Sequence, residues 1–446
     1  MTNKLKGTPK VPFLDLKKAK IRVFRKILQS LVCNLKEKLY LCRRLRTKTT
    51  RMEAFFRTYR YLVEHVNAPV RRTLMDEINW NDRMIGIKGT RGVGKTTFLL
   101  QYAKEKFDIN DRQCLYVNMN NFYFQGRGIA DFAGDFYHKG GRVLLIDQVF
   151  KQTDWSAELR KCYDLYSGLK IVFTGSSVMR LKDENPELNG IVKSYNLRGF
   201  SFREFLNLLT GNSFQAYTLD EILSDHERIV KQILPYVSPR RYFQDYIHHG
   251  FYPFFQEHRN YSENLLKTMN MMTEVDILLI KQIELKYLSK IKKLFYKLAE
   301  DGPKAPNVSQ LANDIETSRA TVMNYIKYLT DARLLNMIYP VGESFPKKPS
   351  KVMLHNSNLL YAIYPIHVDK QTAMETFFVN SMWKDHKVNQ SGHDAYYMID
   401  GVKKFRICDA ESHSKIRYAS DTIYARYNTE IGKDNQIPLW LLGFLY

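Results

Sequence analysis

Cysteine is scarce in this chain and poorly spaced for structural work. Five cysteines (Cys33, Cys42, Cys114, Cys162, Cys408) are scattered through 446 residues without a C-x-x-C pair, which argues against a disulfide framework or a zinc site and for a reducing compartment. Long apolar runs are missing as well. No stretch of eighteen apolar residues occurs, and the N-terminus lacks the apolar core and small-residue cleavage site of a signal peptide. A soluble, cytoplasmic protein with no transmembrane segment is therefore expected. There is no internal repeat and no extended low-complexity segment. Acidic residues are in deficit: 46 Asp and Glu face 68 Lys and Arg, a net charge of +22 that calls for an acidic partner, either nucleic acid or an anionic membrane surface. The imbalance is concentrated at one end, where residues 1–50 hold fifteen Lys or Arg against two acids, +13 of the total.

What is present centres on residues 86–97. Gly89, Gly94, Lys95 and Thr96 satisfy the G-x-x-x-x-G-K-[ST] pattern without a mismatch, with Thr90, Arg91, Gly92 and Val93 between the glycines and Thr97 after them. Apolar Met84–Ile87 reads as a buried strand before the loop, and residues 97–103 as a helix after it. A strand, a glycine turn and a helix N-terminus aim backbone N–H groups and a positive helix dipole at one point, which suits a polyphosphate. Lys95 is expected to reach the β- and γ-phosphates of ATP, and Thr96 to ligate Mg²⁺.

Further apolar strands follow at Leu115–Val117, Val143–Ile146 and Lys170–Phe173, with helical patterns between them, so a parallel sheet covered on both faces is predicted. Four apolar residues ending in Asp147 form a Walker B pattern, placing a magnesium-holding acid beside the loop. Thr174 and Ser176 end the next strand with hydroxyls placed to sense a terminal phosphate or orient water. Directly after Asp147 stands Gln148, a neutral amide.

Residues 86–97, Leu144–Asp147 with Trp155–Leu159, Lys170–Ser177 and Phe200–Leu206 together resemble the prokaryotic AAA-type ATPases that carry a C-terminal nuclease-like domain. Asn356–Tyr361, Glu375–Phe378 and Ile437–Trp440 resemble that family's second block, so the likeness runs from about Met52 to Tyr446. It implies an α/β fold with a P-loop core (51–199), a helical lid (200–286) and an α/β, PD-(D/E)XK-like domain (352–446); residues 287–345 carry a winged-helix pattern, and residues 1–50 read as a basic helical extension. This chain departs from the family in three places. Gln148 replaces the water-polarising Glu, so ATP is expected to bind and be hydrolysed slowly. Ile191 stands where the family has an arginine, with Arg180 as a substitute candidate. In the last domain Asp394 keeps a metal position, but Arg406 replaces the second carboxylate and Ala410 the lysine, which implies a degenerate nuclease fold used for binding. Glu375 reads as an ordinary helix-surface acid.

The remaining segments supply partners. Apolar residues from Ile21 to Leu39 recur at three- and four-residue steps, describing a basic amphipathic helix that suits nucleic acid, an anionic membrane or packing on its own chain; Met52 is also a candidate natural start. In the winged-helix pattern, Ser318 caps a third helix that offers Arg319, Thr321 and Asn324 to DNA. Arg240 and Arg241 are candidate lid arginines, and Gly342–Lys351 reads as a linker. Two functions remain open. One is an ATP-dependent machine associated with nucleic acid and assembled as a homo-oligomer; the other is a nucleotide-regulated switch or scaffold that recruits proteins.

Overall fold

The computed structural model describes residues 52–179, 181, 185–257, 260–366, 368–392, 396–411 and 419–446. The basic helix expected within 1–50, Arg180 and Asp394 lie outside them. Residues 52–65 are helical (α1), and a short helix α2 (Leu74–Glu77) leads into the first sheet.

Strands β1 (Met84–Gly89), β2 (Cys114–Asn118), β3 (Val143–Asp147), β4 (Lys170–Ser176) and β5 (Lys193–Asn196) form one parallel sheet in the order β2-β3-β4-β1-β5. Helices α3 (Lys95–Lys106), α4 (Ile129–Tyr137) and α5 (Trp155–Leu165) make the crossovers between successive members of β1 to β4. β3 is buried along its whole length, as is β4 beyond Lys170, which is why these strands read as unbroken apolar runs. Register then decides where function lies. Gly89 is paired with Ser176 and Asn118 with Asp147, so the carboxyl ends of four strands finish along one edge.

A helical region follows: α6 (Phe202–Thr210), α7 (Leu219–Ile233), α8 (Pro239–Asp245), α9 (Tyr261–Met271) and α10 (Leu278–Lys281). Ser201 and Glu204 close a reciprocal capping box at the start of α6. Two π-helical turns interrupt this region, Tyr246–Gly250 after α8 and Met272–Ile277 between α9 and α10.

Next come α11 (Leu288–Asp301), α12 (Val308–Asp314) and α13 (Arg319–Asp331), packed through Leu294, Leu298, Leu311, Val322, Ile326 and Leu329, all buried. β6 (Leu335–Ile338) and β7 (Lys351–Leu354) pair antiparallel, and a bridge from Lys304 to Val352 adds a third segment beside them. Gly342–Lys351, expected as a linker, is therefore the connection between two paired strands. Helices α14 (Ser357–Ile363) and α15 (Lys370–Met382) precede a second sheet of β8 (Val388–Gln390), β9 (Tyr396–Ile399), β10 (Lys403–Asp409), β11 (Thr422–Tyr427) and β12 (Gln436–Pro438). Its order is β12-β11-β10-β9-β8, antiparallel from β8 to β10 and parallel from β10 to β12. Buried Asn358 ties this part to the helical region: its amide donates to the carbonyls of Tyr246 and Ile247 while its oxygen accepts from Phe251 N and Tyr261 Oη.

Candidate functional site

The loop between β1 and α3 turns on glycine. Gly92 and Gly94 have φ of 81° and 90°, a region that a Cβ disfavours, and Gly94 stands immediately before the first residue of α3. A Cβ at Gly89 would come within 2.4 Å of the Leu197 carbonyl oxygen. Lys95 Nζ donates to the carbonyls of Gly89 (2.8 Å) and Thr90 (2.7 Å), within the cavity it lines. Burial lowers its pKa to about 8, with nearby Asp147 and Asp276 pulling upward and Arg91 pushing further down. An ammonium so placed gains from a polyanion, which restores the charge that burial penalises.

Asp147 ends β3 almost fully buried. Its Oδ2 accepts from Thr96 Oγ1 (2.7 Å), Tyr116 Oη (2.9 Å) and Asn118 Nδ2 (3.1 Å), and its Oδ1 from the Thr174 hydroxyl. All four donors are neutral. A buried carboxylate held only by neutral donors, touching a threonine hydroxyl at the floor of the cavity, is a hard-oxygen pair that fits Mg²⁺. Thr96 and Asp147 would hold the ion, which would supply positive charge to the phosphate oxygens.

Thr174 does not line the cavity. Besides bonding Asp147, its oxygen accepts from the backbone N of Gln148 at 2.9 Å, so it orients the Walker B turn. That turn leaves Gln148 in the left-handed region (φ 56°) with its side chain along the cavity. Ser176 is the strand-end hydroxyl that lines the cavity, and it donates to Asp276 Oδ2 at 3.0 Å.

Asp276, in the π-turn between α9 and α10, is the residue that sequence patterns missed. Its Oδ1 accepts from Arg91 Nε (3.0 Å) and Nη2 (2.7 Å), and its side chain is only 3% exposed. The helical region thus closes over the phosphate loop. Tyr252 and Phe254 crowd Gly92, where a Cβ would meet the Phe254 ring at 2.9 Å, and Pro253 stands over Gly94. The resulting cavity of about 630 Å³ runs from Lys95, Thr96 and Asp147 past Phe200 and Phe254 to Pro69 and Val70. Its far wall is fixed by buried Arg72, which bonds Glu204 Oε1 (3.0 Å), the Val93 carbonyl (3.1 Å) and the carbonyls of Arg198 and Gly199.

Other expected residues go elsewhere. Arg240 bonds Glu411 at 2.6 Å, away from the phosphate loop, and Arg241 is exposed. Arg319 and Asn324 are exposed on α13, whereas Thr321 is half-buried beside the cap Ser318. Reading Glu375 as a surface acid is overturned. It is 4% exposed, and its Oε2 accepts from Lys351 Nζ (3.0 Å) and Tyr397 Oη (2.6 Å), because α15 is buried around nearly its whole circumference. The guanidinium of Arg406 lies over the Tyr396 ring, 5.2 Å from its centroid. Among the described residues no group of three His, Cys, Asp or Glu side chains is arranged to hold a metal ion.

Residues 81–206 match the family model of an AAA domain, and residues 240–370 match a domain of unknown function (DUF8612), which spans the end of the helical region, the three-helix unit and α14. An uncharacterised protein of Methanocaldococcus jannaschii is 27% identical over 293 residues, 62% of this chain and 61% of that protein. The chain thus spans about three fifths of that relative's length. Two solved structures are similar at low TM-score. The ORC1 protein of Aeropyrum pernix, in complex with DNA, gives 0.28 at 13% identity over 69% of this chain and 91% of that one; PCH-2 of C. elegans gives 0.22 at 19% identity over 37% and 46%. Likeness of that degree carries no argument, so the assignment rests on the AAA match, the five-stranded parallel sheet and the phosphate loop. Among the described residues no helix is long and apolar enough to cross a membrane.

Proposed function

We propose that this chain, which carries an AAA-type P-loop domain, binds ATP with Mg²⁺, hydrolyses it slowly, and couples the nucleotide state to DNA. The observation that carries the nucleotide part is the convergence of Lys95, Thr96 and Asp147 on one cavity closed by the helical region. Gln148 lines that cavity with an amide that cannot take a proton, which supports slow turnover. Coupling has a covering element to act on. The turns 250–254 and 272–277 touch the phosphate loop, and Ser177, just past β4, donates to the Ala332 carbonyl at the end of α13.

Helices α11 to α13 with the β6–β7 hairpin have the element order of a winged helix, and the exposed Arg319 and Asn324 near the start of α13 suit base edges. With a net charge of +22, duplex DNA is the acidic partner this reading names. The C-terminal unit is read as a degenerate PD-(D/E)XK-like fold used for binding, since Glu375 is committed to Lys351. Assembly into a homo-oligomer belongs to the same reading.

Titration of duplex DNA across a salt series, with and without ATP–Mg²⁺, is the test. Affinity should fall on a log–log slope of about −0.9 per neutralised phosphate. It should weaken for Arg319→Ala by about 1–3 kcal/mol if the contact is to a base, and the slope should flatten when residues 1–50 are removed. No affinity at physiological salt favours the second reading, a nucleotide-regulated switch or scaffold that recruits proteins, for which an ATP-holding Gln148 site is equally suited.

A further inference from the structure

Hydrolysis needs a group that takes a proton from water beyond the terminal phosphate, and the residue at 148 is an amide. Three carboxylates line the cavity: Asp147, Glu257 and Asp276. Asp147 accepts four hydrogen bonds and stands with Thr96 at the ion position. Glu257 is exposed. Asp276 is almost fully buried and anchored at Ser176. Sheet order decides what that position means. β4 lies between β1, which delivers the phosphate loop, and β3, which delivers Asp147, and Ser176 is the register partner of Gly89. The end of β4 therefore faces the far end of the phosphate chain, beyond Lys95.

We propose that Asp276 is the carboxylate that activates the attacking water, the role for which Gln148 lacks the chemistry; this rests on reading the cavity as an ATP site. Arg91 and Ser176 act as positioning residues. Arg91 donates twice to Oδ1 and Ser176 once to Oδ2, which fixes the carboxylate plane. A carboxylate offers about four lone-pair sites, so one remains for water. In the step, the water oxygen forms a bond to the γ-phosphorus while the bond from that phosphorus to the β–γ bridging oxygen breaks. The water proton passes to Asp276, ADP departs with the bridging oxygen, and the proton leaves to phosphate or solvent. The Arg91 guanidinium, two residues after Gly89, brings positive charge to the same end, where charge develops in the transition state. A π-turn, which is frequent at functional sites, is what aims Asp276 inward from a helix that otherwise packs over the loop.

The test compares the full chain with Asp276→Asn, Asp276→Glu, Ser176→Ala and Asp276→Asn/Gln148→Glu. Binding of a fluorescent ATP analogue is measured beside single-turnover phosphate release across pH. Asp276→Asn should bind the analogue and release phosphate about 10²–10⁴ times more slowly, losing the acidic limb of the rate profile where a carboxylate base becomes protonated. Ser176→Ala should lower the rate without altering analogue affinity. Asp276→Glu should regain part of the rate, and Gln148→Glu in the Asp276→Asn background should regain turnover, which a fold defect could not allow. Wild-type phosphate release from an Asp276→Asn protein that binds the analogue overturns the proposal. So does a double variant that binds the analogue and stays inactive, since Asp276 would then be only a clamp on Arg91. Failure of the wild-type chain to bind the analogue strikes instead at the ATP reading itself.

Discussion

Two buried carboxylates, Asp147 at the end of β3 and Glu375 within α15, have opposite fates. Asp147 is 1% exposed and Glu375 is 4% exposed. Around Asp147 the four donors, Thr96, Tyr116, Asn118 and Thr174, are neutral, and the half-buried Lys95 nearby spends its ammonium on loop carbonyls. Around Glu375 a buried lysine, Lys351, closes the charge at 3.0 Å, joined by Tyr397 and Gln371. A buried anion with neutral partners is poised for a cation from solution; one with its own lysine is already neutralised. Burial alone thus says little about function, whereas the sign of what surrounds the buried group says a good deal.

The contrast is broken most forcefully on the structural side. Glu375→Ala leaves Lys351 buried and uncompensated and should cost about 3–5 kcal/mol of stability, read as a large drop in the urea midpoint. A joint Lys351→Met/Glu375→Leu replacement should recover most of it, because a matched apolar pair removes both charges. Asp147→Asn should behave in the reverse way, leaving the midpoint nearly unchanged and removing the Mg²⁺ dependence of nucleotide binding. If both carboxylates gave the same stability loss, the distinction drawn between them would fail.

Lys95 sharpens the same contrast at slightly smaller magnitude. Lys95→Ala should weaken binding of a fluorescent ATP analogue by at least about 100-fold, close to 3 kcal/mol for a charged hydrogen-bonded contact. The sign of its pH dependence follows from burial. With the pKa lowered to about 8 in the folded chain and about 10.4 when unfolded, the unfolded state binds more protons between these values. Nucleotide-free stability, taken as the difference between wild type and Lys95→Met, should therefore rise with pH from about 8 to about 10.4, by as much as about 3 kcal/mol. Analogue affinity should fall over the same range as the ammonium is lost. A flat difference would mean that Lys95 is solvated before nucleotide arrives.

How much of this the sequence disclosed depends on how local each feature is. The phosphate loop and the Walker B acid are contiguous patterns with their glycines and apolar runs in place, and Gly89, Lys95, Thr96 and Asp147 meet as their spacing predicts. Asp276 lies 185 residues from Arg91, in a helical stretch whose periodicity offers nothing to separate an inward acid from a surface one. Lys351 was hidden for a related reason: it sits in a run of lysines and prolines that reads as a linker, and only pairing of β7 with β6 turns it inward. Glu375 looked superficial because a single helix pattern shows one apolar face, whereas α15 is enclosed around nearly its whole circumference. Thr174 and Ser176 are two residues apart and so share one face of β4, yet Thr174 bonds Asp147 and only Ser176, at the strand end, lines the cavity.

The smallest expected effect concerns Gln148, and it tests the contrast from the catalytic side. The amide occupies a left-handed backbone position held by its own N–H to Thr174, so Gln148→Glu changes charge without asking the turn to move. The new carboxylate lines the cavity beside Asp147 and Asp276, making a third acid at the end of the phosphate chain. Its gain is a proton acceptor at the position where the AAA resemblance places one; its cost is repulsion from those neighbours in the nucleotide-free state. Because general-base catalysis outweighs repulsion of that size once a divalent cation is bound, steady-state phosphate release should rise by at least about tenfold, about 1.4 kcal/mol in the barrier. Analogue affinity should weaken modestly in the same variant. Equal turnover in Gln148 and Gln148→Glu would locate the limit elsewhere, in opening of the Arg91–Asp276 contact that closes the helical region over the loop, and phosphate release would then respond to Arg91→Ala instead.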